Sequence, residues 1–140
     1  MNDKMVLEYD VDPDDFTRAG EASSSLKRTL KQMGMPPDLI RRVSIVMYEG
    51  EINMVIHAHG GKITVTIDDT GLTMVLKDTG PGIPDIEKAM QAGWSTASEA
   101  VRAQGFGAGM GLPNMKKNAD QLDIDTALGV GTTVTAVIHF

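Results

Sequence analysis

Residues 5–11 alternate along the chain: Val6 and Glu8 fall on one side, Leu7 and Tyr9 on the other, as in a half-buried strand. Asp12-Pro13-Asp14 then breaks the pattern, and Asp12 or Asp14 is placed to cap a helix with Pro13 near its first turn. The spacing of Phe16, Ala19, Leu26, Leu30 and Met33 predicts a helix from about Asp14 to Met33, ended by Gly34 and followed by a Pro36-Pro37 connector. Asp38 is expected to cap a second helix. Leu39, Val43, Val46, Met47, Ile52, Val55 and Ile56 give it an apolar face, and it runs to about His59 before Gly60-Gly61. Period two predicts strands over Lys62–Asp68 and Leu72–Asp78, joined by an Asp69-Thr70-Gly71 hairpin turn. Pro81–Pro84 interrupts the chain, and Asp85–Ala92 is a short predicted helix. Gly93–Gly111 is a predicted loop with one helical turn near Ser98–Arg102. A helix over Leu112–Asp120 and strands over Leu122–Thr126 and Thr132–Phe140 complete the pattern, the strands joined by Ala127–Gly131.

Strands that come in hairpins, rather than in strict alternation with helices, predict an α+β protein. The expected form is a two-layer α/β sandwich, with helices on one face of a mostly antiparallel mixed sheet. At 140 residues the chain is read as one domain, residues 1–140. A domain of that length buries roughly 68% of the surface its unfolded chain exposes. A net charge of -6 argues against nucleic acid as a partner, since a phosphate-backbone binder needs a basic face. No apolar run approaches the ~20 residues of a membrane span. Residues 1–10 lack a basic stretch followed by an apolar one, so a cytoplasmic protein is expected. The absence of cysteine excludes disulfides, thiolate metal sites and cysteine nucleophiles.

The fifteen glycines are unevenly placed, and three clusters carry candidate chemistry. Gly105, Gly107, Gly109 and Gly111 occupy every second position ahead of a predicted helix at Leu112. Such a run lets backbone N–H groups approach an anion at a helix start. It is also what a flexible surface loop looks like, and it is neither a Walker loop nor a dinucleotide fingerprint. Asp78-Thr79-Gly80-Pro81-Gly82-Ile83 follows a strand. It reads as a turn, or as a carboxylate for an exocyclic amine with glycines and Ile83 against a flat ring. Glu49 and Asn53, four apart, share a helical face among apolar neighbours, where each needs a partner. Asn53 offers a neutral oxygen to Mg²⁺, and Glu49 a base for a nucleophile. A surface hydrogen bond is the plainer reading of the pair. Glu51 points elsewhere and is expected to be an ordinary solvated acid. His57 extends the Glu49–Asn53 face toward a phosphate end, and a metal shared by His57 and His59 is disfavoured because residues two apart on a helix diverge.

In this order and spacing, Glu49-x-x-x-Asn53, Asp78-x-Gly80-x-Gly82, Gly105-x-Gly107-x-Gly109-x-Gly111-Leu112 and Gly131-Thr132 resemble the N, G1, G2 and G3 boxes of the Bergerat-fold ATPases. That superfamily includes gyrase, Hsp90, histidine kinases and MutL. In size and in its short lid the chain is most similar to the anti-sigma-factor serine-protein kinases. The resemblance implies ATP or ADP as ligand with Mg²⁺ on Asn53, and Glu49 as general base. It places Asp78 on the adenine amino group with Gly82 and Thr132 beside it. Gly105–Gly111 would wrap the phosphates with Leu112 behind them, and Arg102, the one cation of the lid, would reach the γ-phosphate. It further implies an anti-anti-sigma-type antagonist as protein partner, a sigma factor as a second, and a homodimer. Gly50 departs from expectation, since glycine in a helix interior costs ~1 kcal/mol against alanine. Trp94 in the lid has no assigned role.

Three functions compete: a serine-protein kinase that phosphorylates a small antagonist, a non-catalytic ATP-binding regulatory module, and the catalytic ATPase part of a histidine kinase system. The last needs a phosphoacceptor helix pair, and the segment ahead of the second helix holds no histidine.

Overall fold

The computed structural model describes residues 4–11, 20–57, 60–80, 82 and 111–140. Five strands form one sheet in the order β1-β2-β3-β5-β4: β1 Met5–Val11, β2 Gly61–Ile67, β3 Gly71–Lys77, β4 Gln121–Ala127 and β5 Gly131–His139. Three helices join them: α1 Glu21–Gln32, α2 Pro37–His57 and α3 Gly111–Asn118. The α+β class holds. The sheet was expected to be mixed, but all four of its pairings are antiparallel.

The strand alternation fixes which face is covered. Ile63, Val65 and Ile67 of β2 and Leu72, Met74 and Leu76 of β3 all point into one core. They meet Leu26 and Leu30 of α1, Val43, Val46 and Met47 of α2, and Met115 of α3 in a single apolar cluster. Register keeps these rows aligned: Ile63 pairs with Leu76, Val65 with Met74, and Ile67 with Leu72. A one-residue slip would turn every one of them to the other face.

Two helix starts differ from the expected ones. Gly20 is left-handed (φ 97°), so no continuous helix runs from Asp14 through Gly20 to Met33; α1 begins at Glu21. Asp12, Asp14, Phe16 and Ala19 lie outside the described residues. The α2 helix starts at Pro37, not behind an Asp38 cap. The Pro36 carbonyl accepts the Ile40 N–H (3.0 Å), Pro37 sits where its missing N–H costs nothing, and Asp38 pairs with Arg41 in the first turn. The end of α1 is as expected. Gly34 (φ 76°) turns the chain, its N–H donates to Lys31 O, and the Met35 N–H donates to Leu30 O, closing the two bonds of a Schellman motif. The predicted elements over 85–92 and 98–102 lie outside the described residues, as does Trp94.

The α2 helix is the hub. It packs against α1 on one side and α3 on the other, and it lies over the sheet. Far from its C-terminal half, Arg42 ties it to the end of α3 through Asn118 O (3.1 Å) and to Asp120 (3.3 Å). Asp120 in turn accepts the His139 N–H of β5 (2.7 Å).

That N–H, aided by Arg42 and opposed by slight burial, holds the Asp120 carboxyl below its ordinary value of 3.8. Asp68 is held low in the same way by the Thr70 hydroxyl and by the N–H groups of Thr70 and Gly71 in the β2–β3 turn. A carboxylate whose folded pKa is depressed stabilises the fold above its unfolded pKa. The contribution disappears as pH falls through the folded value. Asp120→Asn should therefore lower the urea midpoint at pH 7, and the gap to wild type should close as pH drops below 3.8. An equal gap at pH 3 and pH 7, measured by urea titration, would refute the assignment.

Candidate functional site

The end of β3 and the start of β5 form one half of the site. Lys77 pairs with Thr133, and the ladder continues one step further, where the Asp78 N–H donates to Thr132 O (3.0 Å). Asp78 thus follows Leu76 by two and stays on the helix-covered side of the sheet. Its Oδ1 accepts from the Gly80 N–H (2.9 Å) and the Thr132 N–H (3.1 Å). Both bonds fall on Oδ1, and among the described residues no donor is bonded to Oδ2. Thr132 is buried, and its hydroxyl pairs with that of Thr126 (2.8 Å).

Two glycines make this half possible. At Gly131 (φ 149°) a Cβ would collide with the Asp78 carbonyl and meet Thr79 Cα at 3.0 Å. At Gly82 (φ 83°) it would meet Ala127 O at 2.8 Å. The Asp78–Gly82 loop and the β4–β5 hairpin therefore lie backbone against backbone, with no side chain between them.

The other half lies on α2. Glu49 and Asn53 are both half-buried, one turn apart on the same face. The Asn114 amide of α3 donates to Glu49 Oε1 across a long 3.4 Å. Gly50 lets α2 press close here. A Cβ on it would collide with Leu76 Cδ2 and stand 3.1 Å from Met115 Cε. The helix-interior glycine thus marks the crossing of α2, β3 and α3. The two halves meet at Gly61, where a Cβ would fall 2.6 Å from Met54 Cε and 3.1 Å from Asp78 Cα. Met54 follows Asn53 directly, so the Asn53 end of α2 abuts the Asp78 corner.

Glu51 overturns its expectation of a solvated acid. It is 3% exposed, and its carboxylate caps α1. Oε2 accepts the N–H groups of Gly20 (3.0 Å) and Ala22 (3.2 Å), while Oε1 accepts the Ser23 N–H (3.0 Å) and hydroxyl (2.8 Å). Gly20 has no side chain to cap the helix, so the acceptor comes from 31 residues away in sequence. Gly20, which has no side chain, at the position ahead of the apolar stripe of Ala22, Leu26 and Leu30 was the available signal that a remote acceptor is needed. Nothing in the sequence pointed to Asn114.

Other candidates are placed in part or not at all. Gly111 opens α3, and Leu112 is buried in the core cluster. The backbone of His57 ends α2, but its side chain is outside the described residues, as are Ile83, Arg102, Gly105, Gly107 and Gly109. Among the described residues no three His, Cys, Asp or Glu side chains gather as a metal site. No helix among them is long and apolar enough to cross a membrane.

A carboxylate on a strand end, two backbone-to-backbone glycine contacts and a Glu/Asn helix face are the parts expected of one nucleotide fold, and residues 13–138 match the histidine kinase-like ATPase domain. The chain belongs to that family. Among its relatives, the serine/threonine-protein kinase RsbT of Bacillus subtilis is 30% identical over 79% of this chain and 80% of its own. The anti-sigma F factor of the same species is 30% identical over 99% of this chain and 94% of its own. The anti-sigma F factor of Caldanaerobacter subterraneus is 35% identical over 68% of this chain and 66% of its own. A chain in the crystal structure of the SiaB–SiaC complex from Pseudomonas aeruginosa shares the fold, with a TM-score of 0.63 at 15% identity over 94% of this chain and 88% of that one.

In this ATPase domain Gly50 carries a direct consequence. Alanine would gain about 1 kcal/mol of helix propensity. Overpacking against Leu76, which is 2% exposed, costs about 1–3 kcal/mol. Gly50→Ala should therefore lower the urea midpoint; a raised midpoint would show that Leu76 yields.

Proposed function

We propose that the protein is an ATP-dependent serine-protein kinase of the anti-sigma regulatory type, passing the γ-phosphate of ATP to a serine of a small antagonist protein. One observation carries the reading. A half-buried Glu49 carboxylate shares a helical face with Asn53, and that helix passes, one residue beyond Asn53, by the corner where Asp78 Oδ2 has no donor among the described residues. The names of the relatives agree with it, since one is a serine/threonine-protein kinase and others are anti-sigma factors.

In this reading Asp78 Oδ2 accepts from the exocyclic amine of adenine, with Gly82 and Thr132 beside the ring. Asn53 would offer its side-chain oxygen to a Mg²⁺ that arrives with the nucleotide. That ion would neutralise phosphate charge. A single neutral oxygen at this position, with no cluster of acids, suits a cation carried in by its substrate. Gly111 opens the helix behind the phosphates, and Gly105, Gly107 and Gly109 with Arg102 belong to the lid segment that precedes it. The acceptor serine's oxygen attacks the γ-phosphorus, the bond to the bridging oxygen of ADP breaks, and the serine proton passes to Glu49. Among the described residues Asn114 bonds only Oε1 of Glu49, and Oε2 would take that proton. The protein acts in the cytoplasm as one domain. It holds a sigma factor as well as the antagonist, a reading supported by relatives named anti-sigma F factor.

Two substitutions separate binding from transfer. Asp78→Asn keeps an oxygen for the Gly80 and Thr132 N–H groups but turns a donor toward the adenine amine. ATP affinity should fall about 10- to 100-fold, the worth of a charged hydrogen bond, with little change in the melting temperature of the free protein. Thermal shift measures both, because a ligand at 100 times its Kd stabilises by ~2.7 kcal/mol. An unchanged ATP shift in Asp78→Asn would remove the adenine assignment. Glu49→Ala should retain nucleotide but lose about 10²- to 10⁴-fold in label transfer from radiolabelled ATP to the antagonist. Transfer at the wild-type rate would eliminate Glu49 as the base. Tight binding with no label from the wild type on any antagonist would favour the regulatory module.

A further inference from the structure

We propose that Glu51 is a positioning residue for phosphoryl transfer: by gripping the start of α1 it fixes the rotation of α2 and so aims Glu49 and Asn53. The proposal rests on the kinase reading above for its activity readout. A second readout, on nucleotide alone, stands apart from it.

The geometry follows from helix arithmetic. At 100° per residue, Glu51 projects roughly opposite to both Glu49 and Asn53. What holds Glu51 from behind therefore sets where the other two point in front. Two turns before Glu49 on the same face, Arg42 holds α2 to Asn118 O and Asp120, but at Glu49 itself the front contact among the described residues is loose, one 3.4 Å hydrogen bond from Asn114. Gly50 contributes close packing but no polar lock. The back contact is tight: four donors at 2.8–3.2 Å on a carboxylate that is 3% exposed. Three of the four are backbone N–H groups of one helix start, which carries about half a positive charge. The grip is therefore directional as well as attractive, and it cannot slide without stranding a buried donor.

A side-chain tip lies about 5–6 Å from the helix axis. A 10° turn of α2 moves such a tip by about 1 Å, and misplacement on that scale can cost about 10²-fold in rate. Apolar contacts with Leu26 and Leu30 are too non-directional to hold α2 to that tolerance.

Glu51→Gln is the test. Its amide can accept on one side only, so its NH₂ must face either the Gly20 and Ala22 N–H groups or the Ser23 N–H. Phosphotransfer is measured to the antagonist protein, together with ATP and ADP affinity with and without Mg²⁺. Val65→Ala, a core truncation in β2 that leaves every Glu51 hydrogen bond in place, serves as the control for lost stability, and all proteins are assayed at a temperature where circular dichroism shows them folded. Glu51→Gln should lose 10- to 100-fold in kcat and most of the Mg²⁺-dependent gain in ATP affinity. Its Mg²⁺-free ADP affinity, which depends on the Asp78 corner, should stay within about twofold. Val65→Ala should keep all three.

Should Glu51→Gln fail to fold, Ser23→Ala removes one donor and leaves the three backbone bonds; a kcat loss of a few fold beside unchanged ADP binding is expected. Equal kcat and equal Mg²⁺ dependence in Glu51→Gln, or in Ser23→Ala where that variant stands in, would overturn the proposal, as would losses matched by Val65→Ala. If the wild type transfers no phosphate, the kinase reading fails by itself. The Mg²⁺-dependent gain then decides on Glu51: lost in Glu51→Gln and kept in Val65→Ala upholds the aiming of Asn53, and any other pattern rejects it.

Discussion

A carboxylate buried between two helices is tolerable only when its oxygens are fully met, and Glu51 meets that condition with four donors from one helix start. The dependence runs both ways. The first N–H groups of α1 have no partner inside their own helix, and Gly20 brings no side chain to cap them. Replacing Glu51 would strand donors on α1; displacing α1 would strand a charge on α2. Neither helix reaches its place without the other, and α2 carries Glu49 and Asn53 of the candidate site. The left-handed Gly20 belongs to the same arrangement. A Cβ there would stand 3.2 Å from the Tyr48 ring, so the chain turns into α1 close against α2.

The remaining constraints are contacts of backbone with backbone. At Gly131 and Gly82 the loop after β3 meets the β4–β5 hairpin at distances that exclude a side chain, and Asp78 Oδ1 fastens the two. At Gly61 the turn into β2 passes beneath Asp78. These contacts bring peptide groups, not side chains, up to the Asp78 corner. This is how a chain of net charge -6 can offer a place to a polyanion. N–H groups and a helix start supply the positive ends of dipoles, and a cation that comes with the ligand supplies the charge.

Much of the fold was legible in the sequence because period two is a strong signal. The β1 bounds agree with the expected ones, and those of β2 and β3 are each displaced by one residue. Gly34 ended α1 as its position suggested. What escaped reading was non-local. Glu51 looked solvated because spacing within α2 says which face it takes, not what lies against that face. The start of α1 was misplaced because an apolar stripe reports a helix's face rather than its first residue. Gly50 looked like a defect until Leu76 and Met115 were placed against it. The candidate site shows the same division. Asp78 and Thr132 could be named from motifs, but their mutual hydrogen bonds depend on the β3–β5 register, which no local pattern encodes.

Asn114 extends this argument to the link between the site's two halves. It stands one turn into α3, the helix that opens directly after the glycine-rich segment, and it donates to Glu49. Any ligand that pulls on the start of α3 therefore pulls on the neighbour of the proposed base. Arg42 holds the far end of the same helix through Asn118 O and Asp120. Between its two ends this short helix packs its side chains against α2. Asn114, through a long and weak hydrogen bond, is the polar one that faces Glu49. The weak contact is thus on the face that carries Glu49, and the strong one, at Glu51, is on the face packed against α1.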